Sequence, residues 1–266
     1  MRKTSFFLLL LMMATACSQR KTTDTPTATS TQVADTLRTE VVHHEQENAY
    51  GHCEISIDWP VAGPAKLLSS LREYIVTSLF DGGYSSLPTH PDSLVALWSE
   101  RKLASFEKSL SDMKIQVNSP DEAPEEGVKI VKAWENDKLV TYEVSGFSYF
   151  TGGGRGTFGT RGATFRKRDG HRYGGEILKN ADDHLHALML VGLMRFFEVT
   201  DTNALKQKLT IAPDMLPMPA YPPYLLADGL RFQYNVYDIC RFDDGDPWFS
   251  IDWEDIKPYL NIEASP

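Results

Sequence analysis

From Val128 to Arg166 apolar and polar residues alternate over successive short stretches, a period that a pleated strand carries and a helix does not. Val128 to Trp134 forms the first stretch, a turn at Asn136-Asp137 follows, and Leu139 to Phe150 resumes the alternation, so the two make a hairpin. A glycine-rich connection, Gly152-Gly153-Gly154-Arg155-Gly156, leads to a strand at about Thr160 to Arg166. Asp169-Gly170 closes it before another strand near His171. The expected sheet is mainly antiparallel.

The flanking segments supply helices. His52 to Trp59 alternates as a half-buried strand and ends at Pro60; Pro64 then suits a first helical turn, with Leu67, Leu71, Ile75 and Leu79 recurring every four residues until Gly82-Gly83. A second helix starts after Pro91, with Ser93 as its cap and Leu94, Leu97, Trp98 and Leu110 on one face. Residues 118–127 are polar and read as a linker. Asp182-Asp183 open a helix whose Leu185, Leu188, Met189, Leu193 and Phe196 face the sheet, and a short helix spans about Asn203 to Leu209. After a proline-rich crossing, Pro213 to Pro223, come Tyr224 to Asn235 broken at Asp228-Gly229, a strand from Pro247 to Trp253, and a terminal helix from Glu254. Helices and strands in runs, without strict alternation, define an α+β fold.

The first residues read differently. Arg2 and Lys3 precede an apolar run from Phe6 to Ala14, and Ala14-Thr15-Ala16 ends at Cys17. A charged start, a short apolar run and a small-residue cleavage site make a signal peptide over residues 1–16, too short to span a bilayer. The cysteine after the cleavage site favours lipid attachment at Cys17 over a plain secretory signal. Residues 17–47, rich in Thr, Ser, Gln and charge, read as a tether from a lipid anchor, with too little apolar content to offset the entropy of ordering. Two folded parts should follow: a strand-helix-helix part over 48–117 and a second over 128–262. The residues after Cys17 lack an acidic run, so the expected location is the periplasmic face of the outer membrane.

A formal charge of −9 disfavours nucleic acid and favours a basic partner. In an oxidising compartment Cys53 and Cys240 either pair, closing a long loop, or remain two separate buried thiols.

The stretch from about Val128 to Leu260 resembles the extracytoplasmic domain of the RsiV family of lysozyme-sensing anti-sigma factors, which also occurs in many lipoproteins and in the peptidoglycan deacetylase PdaC. The resemblance rests on Ser148-Tyr149-Phe150-Thr151-Gly152-Gly153-Gly154-Arg155-Gly156, the Phe165 strand and Asp169-Gly170 turn, Asp228-Gly229-Leu230-Arg231-Phe232, Asn235-Val236-Tyr237-Asp238-Ile239 and Ile256-Lys257-Pro258-Tyr259-Leu260. Arg155 stands where the family usually has histidine, and Val236 where it has proline. Neither the transmembrane signalling part of the anti-sigma factors nor the deacetylase catalytic domain is recognisable. The resemblance implies a binding module, with lysozyme-type hydrolases or cell-wall glycan as ligand classes.

Other motifs yield less. Gly154-x-Gly156-x-x-Gly159 matches a dinucleotide fingerprint but lies between strands rather than before a helix. His184 and His186 are two apart on a helix and cannot share a metal; His43, His44 and His52 are the remaining histidine group. Asp243-Asp244-Gly245-Asp246 has calcium-like composition without the spaced ligands of a calcium loop. Asp252 and Glu254 are the carboxylates considered for acid/base work on a sugar, but strand end and helix start account for them. The expectation is a non-enzymatic, cofactor-free binding protein. Its candidate ligand residues are Tyr149, Arg155, Tyr237, Asp243, Asp244 and Asp246, with Trp134, Tyr149, Tyr173 and Trp248 as aromatic platforms for a glycan.

Overall fold

The computed structural model describes residues 36–80, 87–119, 122–150, 156–179 and 182–261. The expected signal peptide at residues 1–16, the expected lipidation site Cys17, and Arg155 lie outside the described residues. The chain runs β1 (Arg38–Asn48), β2 (Gly51–Ala62), α1 (Ala65–Leu79), α2 (Pro91–Met113), β3 (Glu125–Glu135), β4 (Leu139–Tyr149) and β5 (Thr157–Arg166). It continues with α3 (Asp183–Phe196), α4 (Thr202–Lys208), β6 (Tyr224–Leu226), β7 (Gly229–Gln233), β8 (Trp248–Asp252) and α5 (Trp253–Ile256). The fold is α+β. No helix among the described residues is long and apolar enough to cross a membrane.

Strands β1 to β5 form one sheet in chain order, and β6 to β8 a second, smaller one. All pairings are antiparallel except β2 with β3, which runs parallel from His52↔Glu125 to Ile57↔Ile130. That pairing corrects the two-part reading: the strand of the 48–117 part lies in the same sheet as the hairpin at 128–166, and 125–127 of the expected linker are already strand. The chain from Val33 onward is one compact unit. What divides it is the core. One apolar cluster joins β1 to β5 with α1 and α2, and another joins β6 to β8 with α3, α4 and α5.

The expected tether is shorter than read, because Arg38–Asn48 is an ordered edge strand paired with β2 from Arg38↔Ala62 to Asn48↔Gly51. Its low apolar content follows from its position. An edge strand needs few inward residues, here Val42, with Leu37 just before it, and the backbone ladder supplies the rest. In β2, Cys53, Ile55, Ile57 and Trp59 point to one face and are buried with Leu67, Leu71, Trp98 and Phe106 from α1 and α2. The opposite face, carrying Glu54, Ser56, Lys129, Ser145 and Phe147, is not covered by those helices.

Smaller corrections have equally local causes. Helix α2 is capped at His90 with Pro91 in its first turn, so Ser93 lies inside the helix rather than at its cap. Helix α3 does start as read, with Asp182 accepting from Leu185 N at 2.8 Å, but it backs β8 of the small sheet, where Gly192 leaves room for the Phe249 ring. The strand expected near His171 is a single bridge, Phe165↔Arg172, before the chain enters a 3-10 turn at Gly175–Ile177. His43 and His44 point to opposite faces of β1, and His52 Nε2 lies 2.9 Å from Glu45 Oε1. Cys53 and Cys240 are both free and buried, Cys53 in the first core and Cys240 in a backbone bridge with Leu209, so the structure has the separate-thiol alternative and not the disulfide. Burial raises Cys53 to about 12 and Cys240 to about 11, leaving both as inert thiols.

The two sheets meet where Tyr224 of β6 lies over Gly162 of β5 and its hydroxyl donates to Glu143 Oε2 at 2.9 Å. Beside it, Leu225 N donates to Thr164 Oγ1 at 2.9 Å, and Thr164 Oγ1 is 2.9 Å from Thr141 Oγ1. A Cβ at Gly162 would overlap the Tyr224 ring. Gly162→Ala is therefore expected to destabilise the chain by about 1–3 kcal/mol in urea denaturation. Gly159→Ala, where the nearest atom is 3.9 Å away, is expected to change stability by less than about 0.5 kcal/mol.

Candidate functional site

Beyond the Tyr224 joint the free half of β5 runs alongside a wall made by the end of β7, the 234–247 loop and the start of β8. Two clefts flank this strand segment. One, of about 410 Å³, lies on the helix side of the sheet and includes Ser78, Val144, Ser148, Arg161 and Asn235 in its lining. The other, of about 560 Å³, lies between the uncovered sheet face and the small sheet and includes Glu143, Phe196, Arg231, Asp243 and Trp248. Both share Thr157 to Thr160, Gln233, Val236 and Asp246. A third hollow of about 340 Å³ continues from Phe158 across the open face to Lys129 and Glu54.

The wall is positioned by strand alternation. In β7, Leu230 and Phe232 enter the core, which leaves Arg231 and Gln233 facing the five-stranded sheet; in β8, Phe249 and Ile251 enter it, leaving Trp248 and Ser250. The Arg231 guanidinium sits 4.1 Å over the Trp248 ring and donates through Nε to Ser250 Oγ at 3.0 Å. Trp248 is 46% exposed, with Phe196 edge-on to it at 6.5 Å. Across the cleft Phe158 is 73% exposed, its ring 6.3 Å from that of Phe147.

Two oxygens lining both clefts have no hydrogen-bond partner among the described residues. Gln233 is only 5% exposed; its Nε2 donates to Tyr234 O at 3.4 Å and its Oε1 is orphaned. Asp246 Oδ1 is likewise buried without a partner. Burial, and then the charge of Asp238, raise the Asp246 carboxyl above the ordinary carboxylate range. Buried acceptors without donors are costly, and at a cleft wall they mark where a ligand's N–H or O–H groups belong.

The loop between the strands is held at several points: Asn235 N donates to Asp238 Oδ2 at 2.9 Å, Thr210 N to Ile239 O at 2.8 Å, and Tyr234 N to Pro247 O at 2.9 Å. Tyr237 has φ 68°, a left-handed conformation that turns its side chain outward, where it is 70% exposed and stacks on Phe242 at 5.8 Å.

Of the residues expected from sequence, Asp243 and Asp246 line the cleft, and Tyr237 reaches its rim only through Phe242. Asp244 is engaged with Lys208 at 3.4 Å, and Tyr149 is half-buried at the end of β4, outside the lining. Among the proposed aromatic platforms, Trp134 packs on Trp253 at 5.7 Å and Tyr173 on His171 at 4.9 Å; Trp248 alone of the four borders the cleft. Asp252 and Glu254 are exposed and outside it. Sequence reasoning missed Phe158 and Gln233. Phe158 stands in a glycine-flanked stretch with no apolar residue two positions away along its own strand, and Gln233 is the polar end of an otherwise ordinary β7 alternation.

The fold is shared with solved structures. A DUF3298-family protein of Bacteroides fragilis superposes with a TM-score of 0.68 at 22% identity, over 85% of this chain and 94% of that one. A DUF3298-family protein of Pseudomonas aeruginosa PAO1 gives 0.55 at 14%, over 86% and 96%. DUF3298 is the family of the RsiV-like and PdaC-type domains, and the link from this chain to those neighbours is through fold alone. At these identities the likeness is one of fold. No protein-family model matches the chain, and neither does any curated protein.

A raised carboxyl pKa has a defined effect on stability. Asp246 holds its proton more tightly folded than unfolded, so the stability tied to it is present at low pH and lost as pH rises through its raised value. Asp246→Asn is therefore expected to raise Tm at pH 7, by no more than about 3 °C given partial solvation, and to give no gain below about pH 3. Parallel thermal melts at the two pH values test this.

Proposed function

We propose that this chain is a lipid-anchored binding protein of the cell envelope, held through Cys17 at the periplasmic face of the outer membrane, whose cleft receives a basic protein partner. Lysozyme-type hydrolases are the candidate class. The observation that carries this reading is the charge of the larger cleft: among the described residues its lining holds the carboxylates Glu143, Asp243 and Asp246 and one guanidinium, Arg231, which is itself laid over Trp248. An orphaned Asp246 oxygen at the shared wall supplies an acceptor for a cationic donor. The chain's net charge of −9 would speed encounter with a basic partner and make it salt-sensitive.

A glycan is the second reading, favoured by exposed Phe158 and Trp248 beside the Gln233 amide and the Asp246 carboxylate. It ranks second because Arg231 already occupies one face of Trp248, and a sugar platform needs an open ring face.

Calorimetric titration of the unlipidated chain beginning at Ser18 with lysozyme tests the first reading. Saturable binding is expected, weakening by more than about tenfold between 50 and 200 mM salt and again with Asp243→Asn plus Asp246→Asn. Absence of heat at low salt, together with uptake of chitooligosaccharide, would transfer the assignment to the glycan. The anchor is tested separately: Cys17→Ala is expected to abolish incorporation of labelled palmitate in the producing cell.

A further inference from the structure

The two edges of the five-stranded sheet are treated differently. The β1 edge carries Arg38, Glu40, Glu45 and Glu47, the charged pattern that discourages pairing with another strand. The free half of β5, Thr157-Phe158-Gly159-Thr160, carries neither charge nor proline. Its backbone direction follows from the other half of the strand: Thr164 O accepts from Tyr173 N at 2.9 Å and Arg166 N donates to His171 O at 2.8 Å, so even-numbered residues present N–H and C=O away from β4. By that parity Phe158, Thr160 and Gly162 offer outward donors and acceptors, and among the described residues no strand pairs with them. The open run ends at Gly162, where Tyr224 closes it, and it spans about 20 Å at 3.4 Å per residue.

A strand edge between two clefts has a geometric consequence. Side chains of a strand laid along this edge would alternate to either side of the sheet, one set into the 410 Å³ cleft and the other into the 560 Å³ cleft, and both clefts share this segment of β5. Gln233, 95% buried with an orphaned acceptor, and Asp246 line both clefts, and the Asp246 carboxylate reaches to 3.9 Å from where a Cβ of Gly159 would stand.

We propose that the free half of β5 takes up an extended peptide segment of a partner as a sixth strand, with a basic side chain of that segment directed to Asp246 and a donor group to Gln233 Oε1. This rests on the reading of the cleft as a site for a basic partner and specifies how that partner is held: by backbone pairing at β5 and by charge at the opposite wall.

The test uses the unlipidated chain from Ser18 and an amidated fluorescent heptapeptide alternating threonine and valine with lysine at its centre. Expected is saturable binding by fluorescence polarisation, weakened by at least about tenfold when alternate backbone amides of the peptide are N-methylated, and by a similar factor when its lysine becomes glutamate. Thr160→Pro, which deletes an outward N–H and leaves the β4 ladder intact, should weaken it as much while the far-UV spectrum is retained. The N-methylated peptide carries the test if that variant unfolds. Equal binding of the N-methylated peptide, or no binding of the lysine peptide, overturns strand addition. So does sedimentation showing that the chain dimerises through this edge and that Thr160→Pro makes it monomeric. Lysozyme binding that survives alongside a peptide failure leaves the cleft reading standing and removes only the sixth strand, whereas failure of both removes the cleft reading too.

Discussion

The contact on which the architecture turns is Tyr224 over Gly162. It joins two sheets that otherwise belong to separate apolar cores, and it does so at one end only. A side chain at 162 would push the small sheet away, and an unpaired Tyr224 hydroxyl at that depth would cost more than the contact gains; Glu143 accepts its hydrogen bond and removes that cost. Leu225 N on Thr164 Oγ1 adds a backbone-to-side-chain tie in the same place. Because the joint is local, the sheets are free to part beyond it. The clefts beside Phe158 are the space that results.

Several buried polar groups elsewhere are satisfied. Tyr142 donates to Asp58 O at 3.1 Å, Tyr234 to Pro217 O at 2.7 Å, and Thr141 and Thr164 satisfy one another. Glu135 is half-buried, which would raise its pKa, yet hydrogen bonds from Lys132 and Lys167 outweigh that and hold it below the ordinary range. Asp246, in the loop before β8, and Gln233, at the end of β7, each keep one side-chain oxygen without a partner among the described residues. His44 Nε2, Tyr74 OH, Ser99 Oγ and His186 Nε2 are also buried without a partner, so what distinguishes Gln233 and Asp246 is that both line the clefts.

Much of the fold was legible in the sequence because it rests on periodicity. The strands at 139–149 and 248–252, the helices α1 and α3, and the Asp182 and Asp228-Gly229 punctuation follow from alternation, four-residue spacing and cap chemistry. What was not legible depends on partners distant in the chain. Strand β1 has a polar composition that reads as unstructured until β2 is placed beside it, and the parallel β2–β3 pairing crosses two helices and leaves no local mark. The site was legible only in part for the same reason. Aspartates in a glycine-containing loop announce themselves, and Asp243 and Asp246 do line the cleft, but the loop turns Asp244 toward Lys208 and Tyr237 outward. Phe158 and Gln233 acquire meaning only once β5 and β7 face each other across a gap.

That gap is also stiff. Its β5 side is paired to β4 from Ser148↔Thr157 to Leu139↔Arg166 and rests, through Phe165, on the first core, with Tyr74 edge-on at 5.5 Å. Its other side is rooted in the second core through Phe232 and Phe249, stacked at 5.2 Å, with Gly192 of α3 close behind. Two walls rooted in the two cores, pinned by the Tyr224 joint and by Leu139 of β4 and Trp134 of β3 packing into the second core, hold their spacing without a ligand. A ligand taken up here would meet a largely preformed cleft, with little of the binding free energy consumed in ordering it. Under those conditions small groups such as one carboxylate and one amide oxygen can decide which ligand is held.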